Sequence, residues 1–330
     1  MTSAPTTVFT GSEIVLLARA ISRAPSVHNT QPWSLRVRGA DIDLLESDVA
    51  LPSHDPDGRD RAVSCGAALA HLALAARVLG REPSTTFPAD GDVVATVHTA
   101  PGGGARADEA ARYHAIPRRR SHRQWFAPEP VSDADRTAVA SAGAEAGVRL
   151  VVPGHLDALA AMLGFATRVF RADPAYQREL DMWTARTFVP HALGAADGIP
   201  EDALSGESLP AAGVIRRDTP VPDDARLAKR LESESLLVIC TDGDTRRDDL
   251  AAGVALERAW LQATVRALAA SVITQPLHLL GFRELLAERL ELPGVPQAIF
   301  RFGHPATPAT PAPRLPLDEL FPDAPSGGLS

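Results

Sequence analysis

The sequence contains little cysteine: two residues in 330, Cys65 and Cys240. Each lies inside an apolar segment without metal-ligand neighbours, which argues against a disulfide framework and a zinc site. The motifs His-Glu-x-x-His, Cys-x-x-Cys and Gly-x-Ser-x-Gly are also absent, so hydrolytic and zinc chemistry has no support in the sequence. We expect a protein of the reducing cytoplasm, without a metal site.

Long apolar runs are missing too. The longest, from Ala62 to Gly80, is interrupted by His71 and Arg77. The N-terminal stretch MTSAPTTVFTGSE has neither the basic start nor the apolar stretch of a signal peptide. We therefore expect no segment that spans a membrane.

Positive charge is in the minority, because 33 Lys and Arg stand against 41 Asp and Glu, for a formal net charge of -8. This balance argues against a general binder of nucleic acid or anionic membranes. Any cluster of arginines therefore requires a local explanation.

The length of the chain suggests about two domain-sized units. The periodic pattern breaks around Pro101-Gly102-Gly103-Gly104, which predicts a boundary between residues 1–104 and 105–330. No period is sustained from Trp183 to Pro222, and we predict a lid-like insertion over about 183–222. Residues 303–330 are predicted to form a proline-rich C-terminal arm.

Hydrophobic periodicity predicts a mixture of helices and strands. The first helix is expected to begin with Ser12 as its cap, and further helices are expected over 62–80, 132–146, 156–170 and 248–271. Strands are expected over 33–37, 42–44, 93–97, 148–152, 235–241 and 297–302. The helix over 62–80 is apolar on nearly all sides, which is typical of a helix buried in the middle of a protein.

Two of these helices can be aligned with each other at a constant separation of 187 positions. Gly66-Ala67-Ala68-Leu69 with Leu74 and Ala76 matches Gly253-Val254-Ala255-Leu256 with Leu261 and Ala263. Two explanations are open: alanine-rich helices can match by chance, or the chain contains two related halves packed like the subunits of a dimer.

The segment Arg23-APSVHNTQPW-Ser34 contains both residues that restrict the backbone and polar side chains. Its two prolines fix backbone angles, while Ser26, Asn29, Thr30 and Gln31 offer donors and acceptors. A polar turn that anchors the next strand through Trp33 would explain two or three of these residues, but so long a run favours a binding segment. The motif His54-Asp55-Pro56-Asp57-Gly58 has residue types that bind metals, yet Asp-Pro and Asp-Gly favour turns, and we predict a turn there.

The segment Arg118-Arg119-Arg120-Ser121-His122-Arg123 places four guanidinium groups and a hydroxyl within six positions. These groups suit a phosphate, because each arginine offers paired donors to phosphate oxygens. By charge alone, a solvated face or a nucleic-acid patch is the better explanation. A nucleic-acid patch would predict salt-dependent DNA binding and a colourless protein.

Resemblance to a known family decides between these alternatives. APSVHNTQPW resembles the flavin-contacting segment of the nitroreductase family, and RRRSHRQWFAPEPVSDADR resembles its phosphate-binding start and first helix. The stretch VITQPLHLLGF and the ending FRFGHP followed by APRLP agree with it. The order of the two segments is reversed, which resembles the Acg-type branch, where one chain forms both halves of the usual dimer. The resemblance implies an α+β nitroreductase-like fold of antiparallel sheets flanked by helices, with two halves packed as an intramolecular pseudo-dimer.

The same resemblance implies one FMN per chain and the residues that bind it. The family's contacts to the phosphate and the ribityl chain match Arg119, Arg120, Ser121, Arg123 and Arg314. Its flavin-contacting segment from the other half matches Pro25, Ser26, Val27 and Asn29. The backbone that it lays beside the reactive edge of the ring matches Pro276, Leu277 and His278. The sequence departs from the family at Leu277-His278-Leu279-Leu280, where many members have Pro-x-Glu-Gly, and at Ala312, where relatives can have Lys.

Two functions follow from the resemblance. The first is two-electron transfer from NAD(P)H through FMN to a nitroaromatic, a quinone or a similar small acceptor, with no catalytic side chain required because the chemistry resides in the flavin. The second is FMN binding or sequestration with little turnover, under a lid that contains Trp183, Arg186, Phe188, His191 and Leu204.

Overall fold

The computed structural model describes residues 8–88, 91–185, 197–200, 215–218 and 220–321. The first helix, α1, spans Gly11–Ile21. Its N-cap is Thr10 rather than the predicted Ser12, because Thr10 and Glu13 form a reciprocal capping box. The helix packs Leu17, Ala18 and Ile21 into the core.

The first sheet is antiparallel and contains β1 (Trp33–Arg38), β2 (Asp41–Glu46), β3 (Arg81–Thr86) and β4 (Val93–Pro101) in the order β1-β2-β4-β3. The strands predicted over 33–37, 42–44 and 93–97 are confirmed within it. β3 was not predicted, because its sequence REPSTT has no apolar alternation. It lies at the edge of the sheet, where a strand needs only one hydrogen-bonded neighbour.

The second sheet contains β5 (Val148–Val151), β6 (Ser235–Thr241), β7 (Ala269–Ile273) and β8 (Val295–Gly303) in the order β5-β6-β8-β7. It repeats the strand order of the first sheet. The prediction of a helix up to residue 271 is wrong, since α8 ends at Val265. Ala267 has a positive φ of 58°, which reverses the chain, and Val272 then pairs with Phe300 of β8.

The helices flank these sheets, and α2 (Arg59–Val78) and α8 (Arg246–Val265) have 20 residues each. The others are α3 (Ala107–Ala115), α4 (Asp133–Ala142), α5 (Leu156–Ala172), α6 (Pro174–Ala185), α7 (Asp224–Glu232) and α9 (Phe282–Arg289). No helix in the described ranges combines the length and the apolar character that a membrane crossing requires.

The helices α2 and α8 cross at Gly66 and Gly253, the same two glycines that the 187-position alignment superposes. A Cβ built on Gly66 would lie 2.2 Å from the carbonyl oxygen of Leu250, and one built on Gly253 would lie 2.0 Å from that of Val63. Val63 and Leu250 are themselves 187 positions apart. The contact is therefore reciprocal, as in a two-fold interface.

The carboxyl of Asp249 on α8 is buried, and its Oδ1 has no hydrogen-bond partner within the described residues. Burial raises its pKa to about 7, against the opposing field of Arg59. The folded chain thus keeps a proton that the unfolded chain loses near pH 4. This group therefore contributes most to the free energy of unfolding at low pH, and its contribution is lost as the pH rises towards 7.

We therefore expect Asp249→Asn to be more stable than the parent protein at pH 8, by up to roughly 4 kcal/mol. At pH 5 the difference in the free energy of unfolding should be much smaller, because the carboxyl of the folded parent protein is then still protonated. Urea denaturation of both proteins at the two pH values measures the difference. Parallel stability profiles of the two proteins between pH 5 and 8 would contradict the assignment.

Candidate functional site

The segment after α1 is held in an unusual backbone conformation. Within it, a 3₁₀ turn spans Val27–Asn29. Three of its non-glycine residues have positive φ: His28 at 45°, Asn29 at 59° and Gln31 at 49°. Each such residue costs on the order of 1 to 3 kcal/mol, and backbone strain of this kind concentrates at functional sites. This observation supports the prediction of a binding segment.

A cavity lies beside this segment. Its walls come from regions far apart in the sequence. They include Pro25, Ser26, Val27 and His28, then Asp60, Val63, Ser64 and Ala67 of α2, Ser121 and Arg123, Leu256 and Trp260 of α8, and Ser271, Val272, Thr274 and Gln275.

A second, smaller cavity adjoins the first and shares four of its lining residues, Pro25, Ser26, Ser121 and Arg123. Its other walls come from the strained segment, the arginine cluster, the insertion and the C-terminal arm. They are Asn29, Arg119, Arg120, Gly198, Ile199, Pro200, Thr310, Ala312 and Arg314. The two cavities together form one site, in which the second cavity is the strongly basic end.

The structure brings nine of the twelve predicted residues to these cavities. They are Pro25, Ser26, Val27, Asn29, Arg119, Arg120, Ser121, Arg123 and Arg314. The other three, Pro276, Leu277 and His278, are not among the lining residues. The preceding residues Thr274 and Gln275 lie at the cavity instead.

Arg119 is 3% exposed, and the described residues around it leave some of its hydrogen-bond donors without an acceptor. Its guanidinium lies 4.6 Å from the ring centroid of Trp260 and its Nε lies 3.4 Å from Glu257. That carboxylate is shared with His71, whose Nε2 lies 2.7 Å from it. Within the described chain, Nε and NH1 of Arg119 have no hydrogen-bond partner. Buried donors left in this way are costly and indicate that another acceptor belongs there.

Mutual repulsion marks the basic end of the site. Burial lowers the pKa of Arg314 to about 9 with the help of three neighbouring guanidinium groups, those of Arg119, Arg23 and Arg120. Burial and then the charge of Arg119 lower the pKa of Arg123 to about 10. Arg314 and Arg123 remain cationic at neutral pH. Glu257 offsets part of the repulsion between the arginines, and a further anion among them would be favourable.

Arg314 also ties the C-terminal arm to the strained segment. Its NH1 donates to Oδ1 of Asn29 at 2.8 Å and to the carbonyl oxygen of Ala24 at 3.1 Å. The amide of Asn29 in turn donates to the carbonyl oxygen of Pro313 at 3.0 Å. The arm therefore closes the basic end of the site across nearly 300 positions of sequence.

A cluster of buried titratable groups lies at the other end of the site. His278 Nε2 lies 3.1 Å from Asp60 Oδ2, which also accepts a hydrogen bond from Thr274 Oγ1 at 2.5 Å. Burial opposes ionisation of Asp60, but the positive field of His278 and Arg59 holds its pKa well below the usual range. The carboxylate is therefore ionised at the cavity wall.

The turn predicted over 54–58 is present, but the sequence did not indicate that His54 and Asp55 are buried. Both carboxylate oxygens of Asp55 accept backbone N–H bonds from the start of α2, at 2.9 Å from Asp60 and 2.8 Å from Arg61. His54 is fully buried, and its Nε2 lies 2.9 Å from the carbonyl oxygen of Tyr176. Nothing in the sequence around residue 54 indicates that His54 bonds a residue 122 positions away.

Two described parts of the insertion, Trp183 and residues 198–200, lie against the site. Trp183 is 5% exposed, and its ring centroid lies 6.5 Å from that of His28. The backbone N–H of Ile199 donates to the carbonyl oxygen of Trp183 at 3.1 Å. Residues 198–200 line the basic cavity. The other residues predicted for the lid, Arg186, Phe188, His191 and Leu204, lie outside the described residues.

The chain is similar in sequence to proteins of Mycobacterium tuberculosis strain H37Rv. It is 33% identical to one named "Putative NAD(P)H nitroreductase Rv3131" over 305 residues, which cover 90% of this chain and 87% of that protein. It is 29% identical to one named "Putative NAD(P)H nitroreductase acg" over 330 residues, which cover 96% and 97%. No protein-family model matches the sequence.

Among solved structures, the FMN-dependent nitroreductase NfnB from Mycobacterium smegmatis in complex with NADPH overlaps 64% of this chain and 96% of its own, at a TM-score of 0.39 and 18% identity. A TM-score this low adds nothing to the assignment. The sequence similarity to Rv3131 extends over nearly the whole length of both proteins. The chain belongs to the nitroreductase family.

Proposed function

We propose that the chain binds one FMN in the joined cavities and transfers two electrons from NAD(P)H to a nitroaromatic, a quinone or a similar small acceptor. The observation that carries the proposal is the convergence of the guanidinium groups of Arg119, Arg120, Arg123 and Arg314 at the basic end of the joined cavities. The relatives' names supply the donor class, since they are NAD(P)H nitroreductases by name.

The basic end fits a phosphate monoester. Arg119 offers two donor atoms without hydrogen-bond partners, and the guanidinium of Arg123 has no ion-pair or hydrogen-bond partner among the described residues. Arg120, Arg314 and the hydroxyl of Ser121 line the same space. A dianion there would accept charge-assisted bonds and relieve the repulsion between the arginines.

The larger cavity fits a flat aromatic ring system with a polar edge. Val63, Ala67 and Leu256 supply apolar walls, while Gln275 and Arg123 supply donors. FMN bound there would supply hydride transfer, accepting and returning electron pairs. The protein's own residues would orient the ring, and the cationic Arg123 would favour negative charge beside it.

We further propose that the site lies between two related halves, residues 1–104 and 105–330. The equal strand orders of the two sheets and the reciprocal contact of Gly66 and Gly253 support this proposal. In each lining set, residues from the first half face residues from the second. The phosphate-binding cluster occurs once, in the second half, so we expect one FMN per chain.

The visible spectrum of the purified protein tests the proposal. We expect a yellow protein with about one FMN per chain, whose flavin bleaches when NADPH or NADH is added without oxygen and recolours when a quinone is added. A colourless protein that does not take up added FMN would refute it.

A second function is favoured by residues 198–200 at the basic cavity and by the burial of Trp183 beside His28. Here the insertion covers the flavin, and the chain binds FMN with little turnover. In that case dithionite, which is small, should bleach the flavin, while nicotinamide donors should fail. Shortening the insertion between residues 186 and 196 should then restore reduction by NADPH.

A further inference from the structure

We propose that His28 and His54 form a store for one proton at the wall of the cavity. The pair takes up a proton at Nδ1 of His28 when negative charge enters the cavity, and it returns this proton to the acceptor. This inference rests on the proposed electron transfer and adds a proton donor that the flavin chemistry by itself does not require.

The hydrogen bonds fix the tautomers of the pair. A carbonyl oxygen only accepts, so Nε2 of His54 must carry a hydrogen to bond the carbonyl of Tyr176 at 2.9 Å. Nδ1 of neutral His54 is then an acceptor, and it receives its bond from Nε2 of His28. Nδ1 of His28 is therefore left with a lone pair and has no partner among the described residues. Since His28 lines the larger cavity, this lone pair is available to a bound molecule.

The charges around the pair keep it neutral at rest. Burial lowers the pKa of His28 well below the usual value, and His54 and Arg123 lower it further. Asp60 opposes them, while His278 adds to the lowering. A negative charge in the cavity acts on His28 in the same sense as Asp60, so its arrival raises the proton affinity of Nδ1.

The imidazole of His54 can also hold the proton. Burial also lowers the pKa of His54, but the bond to Tyr176 and the carboxylate of Glu179 oppose that effect. Glu179 is 4% exposed, and its Oε1 has no hydrogen-bond partner in the described chain. A proton taken up at Nδ1 of His28 lets Nε2 release its own to Nδ1 of His54, where Glu179 stabilises the charge. Because Nε2 of His54 is committed to a carbonyl, the proton can leave only towards the cavity.

The reaction balances with this proton. The nicotinamide donor loses a hydride and leaves as NAD(P)+, so two electrons and one negative charge enter the cavity, and His28 takes one proton from solvent. A quinone then receives the hydride together with the proton from Nδ1 of His28 and leaves as the hydroquinone. The sum is NAD(P)H, one proton and a quinone converted to NAD(P)+ and a hydroquinone, with the histidine pair neutral again.

The test is the pH dependence of the flavin midpoint potential in the FMN-loaded protein, measured between pH 6 and 8. His28→Asn should take up one proton fewer per two electrons than the parent protein, because Asn tolerates a positive φ but does not accept a proton. One proton changes the equilibrium constant tenfold per pH unit, so the slopes should differ by about 30 mV per pH unit for this two-electron couple. His98→Asn, on the first sheet and remote from the cavities, is the control and should keep the parent slope. Equal slopes for the parent and His28→Asn would overturn the proposal.

Nitrogen NMR of the imidazoles gives a second measurement that does not depend on flavin. Both His28 and His54 should carry their hydrogen on Nε2 near neutral pH, with the His28 signals identified by their loss in His28→Asn, or in His28→Gln if the first variant folds poorly. A hydrogen on Nδ1 of either ring overturns the proposal. A colourless protein would refute the proposed function instead, and the NMR result would still decide whether the pair exists as described.

Discussion

Gly253→Ala is expected to lower the free energy of unfolding by roughly 3 kcal/mol or more, which is a large part of the usual stability of a folded protein. The added methyl would lie 2.0 Å from the carbonyl oxygen of Val63 and 3.0 Å from the Cα of Gly66. Both atoms belong to the backbone of a buried helix, so no side-chain rotation can relieve the overlap. The helices α2 and α8 would have to separate, and they carry walls of the candidate site. Urea denaturation followed by circular dichroism measures the loss.

Gly164→Ala in α5 is the matched control. Gly164 is also buried inside a helix, but its added methyl would meet the ends of two mobile side chains, at 2.7 Å from Asp224 Oδ1 and 3.3 Å from Arg168 NH1. Alanine favours a helix over glycine by about 0.5 to 1 kcal/mol, which offsets a small displacement of these chains. We expect a change near zero. If both variants retain the parent stability, the helices do not cross as closely as described.

Arg123→Ala is expected to weaken FMN binding by about 10- to 100-fold, which corresponds to the roughly 1.5 to 3 kcal/mol of a charge-assisted hydrogen bond. Arg123 lines both cavities, and its guanidinium lacks a protein partner in the described chain, so the charge can pair with a ligand. Its removal also leaves no buried carboxylate unpaired, and the fold should therefore persist. Quenching of FMN fluorescence on titration with apoprotein measures the affinity.

Arg118→Ala is the control for this variant, since it removes the same charge from the same cluster. Arg118 is exposed, bonds the carbonyl oxygen of His114 through Nε, and is not among the residues that line the cavities. Its loss should leave FMN affinity nearly unchanged. Asn29→Ala, on the opposite wall, should weaken binding by releasing Arg314 from its 2.8 Å bond. Equal effects of Arg118→Ala and Arg123→Ala would indicate a diffuse basic surface rather than a built site.

The arginine cluster could be located from the sequence, because four arginines occur within six positions of a chain whose net charge is -8. By charge alone a solvated face or a nucleic-acid patch was the better explanation, and only the resemblance to the nitroreductase family indicated a phosphate. The strained segment could also be located, since its constrained and polar residues are contiguous. The histidine and aspartate cluster could not. His54, Asp60 and His278 look unremarkable in their own segments, and only the tertiary structure places them beside one another.

The sequence by itself determined which stretches are buried helices, which strands pair locally, and where arginines are concentrated, because periodicity and charge are properties of a short window. Only the tertiary structure decided what the two binding segments face. The crossing at Gly66 and Gly253 brings α2 and α8 together, the C-terminal segment carries Arg314 to Asn29, and the turn at His54 meets His28. These contacts join residues that are far apart in the chain, and they depend on the packing of whole elements, which no local pattern records.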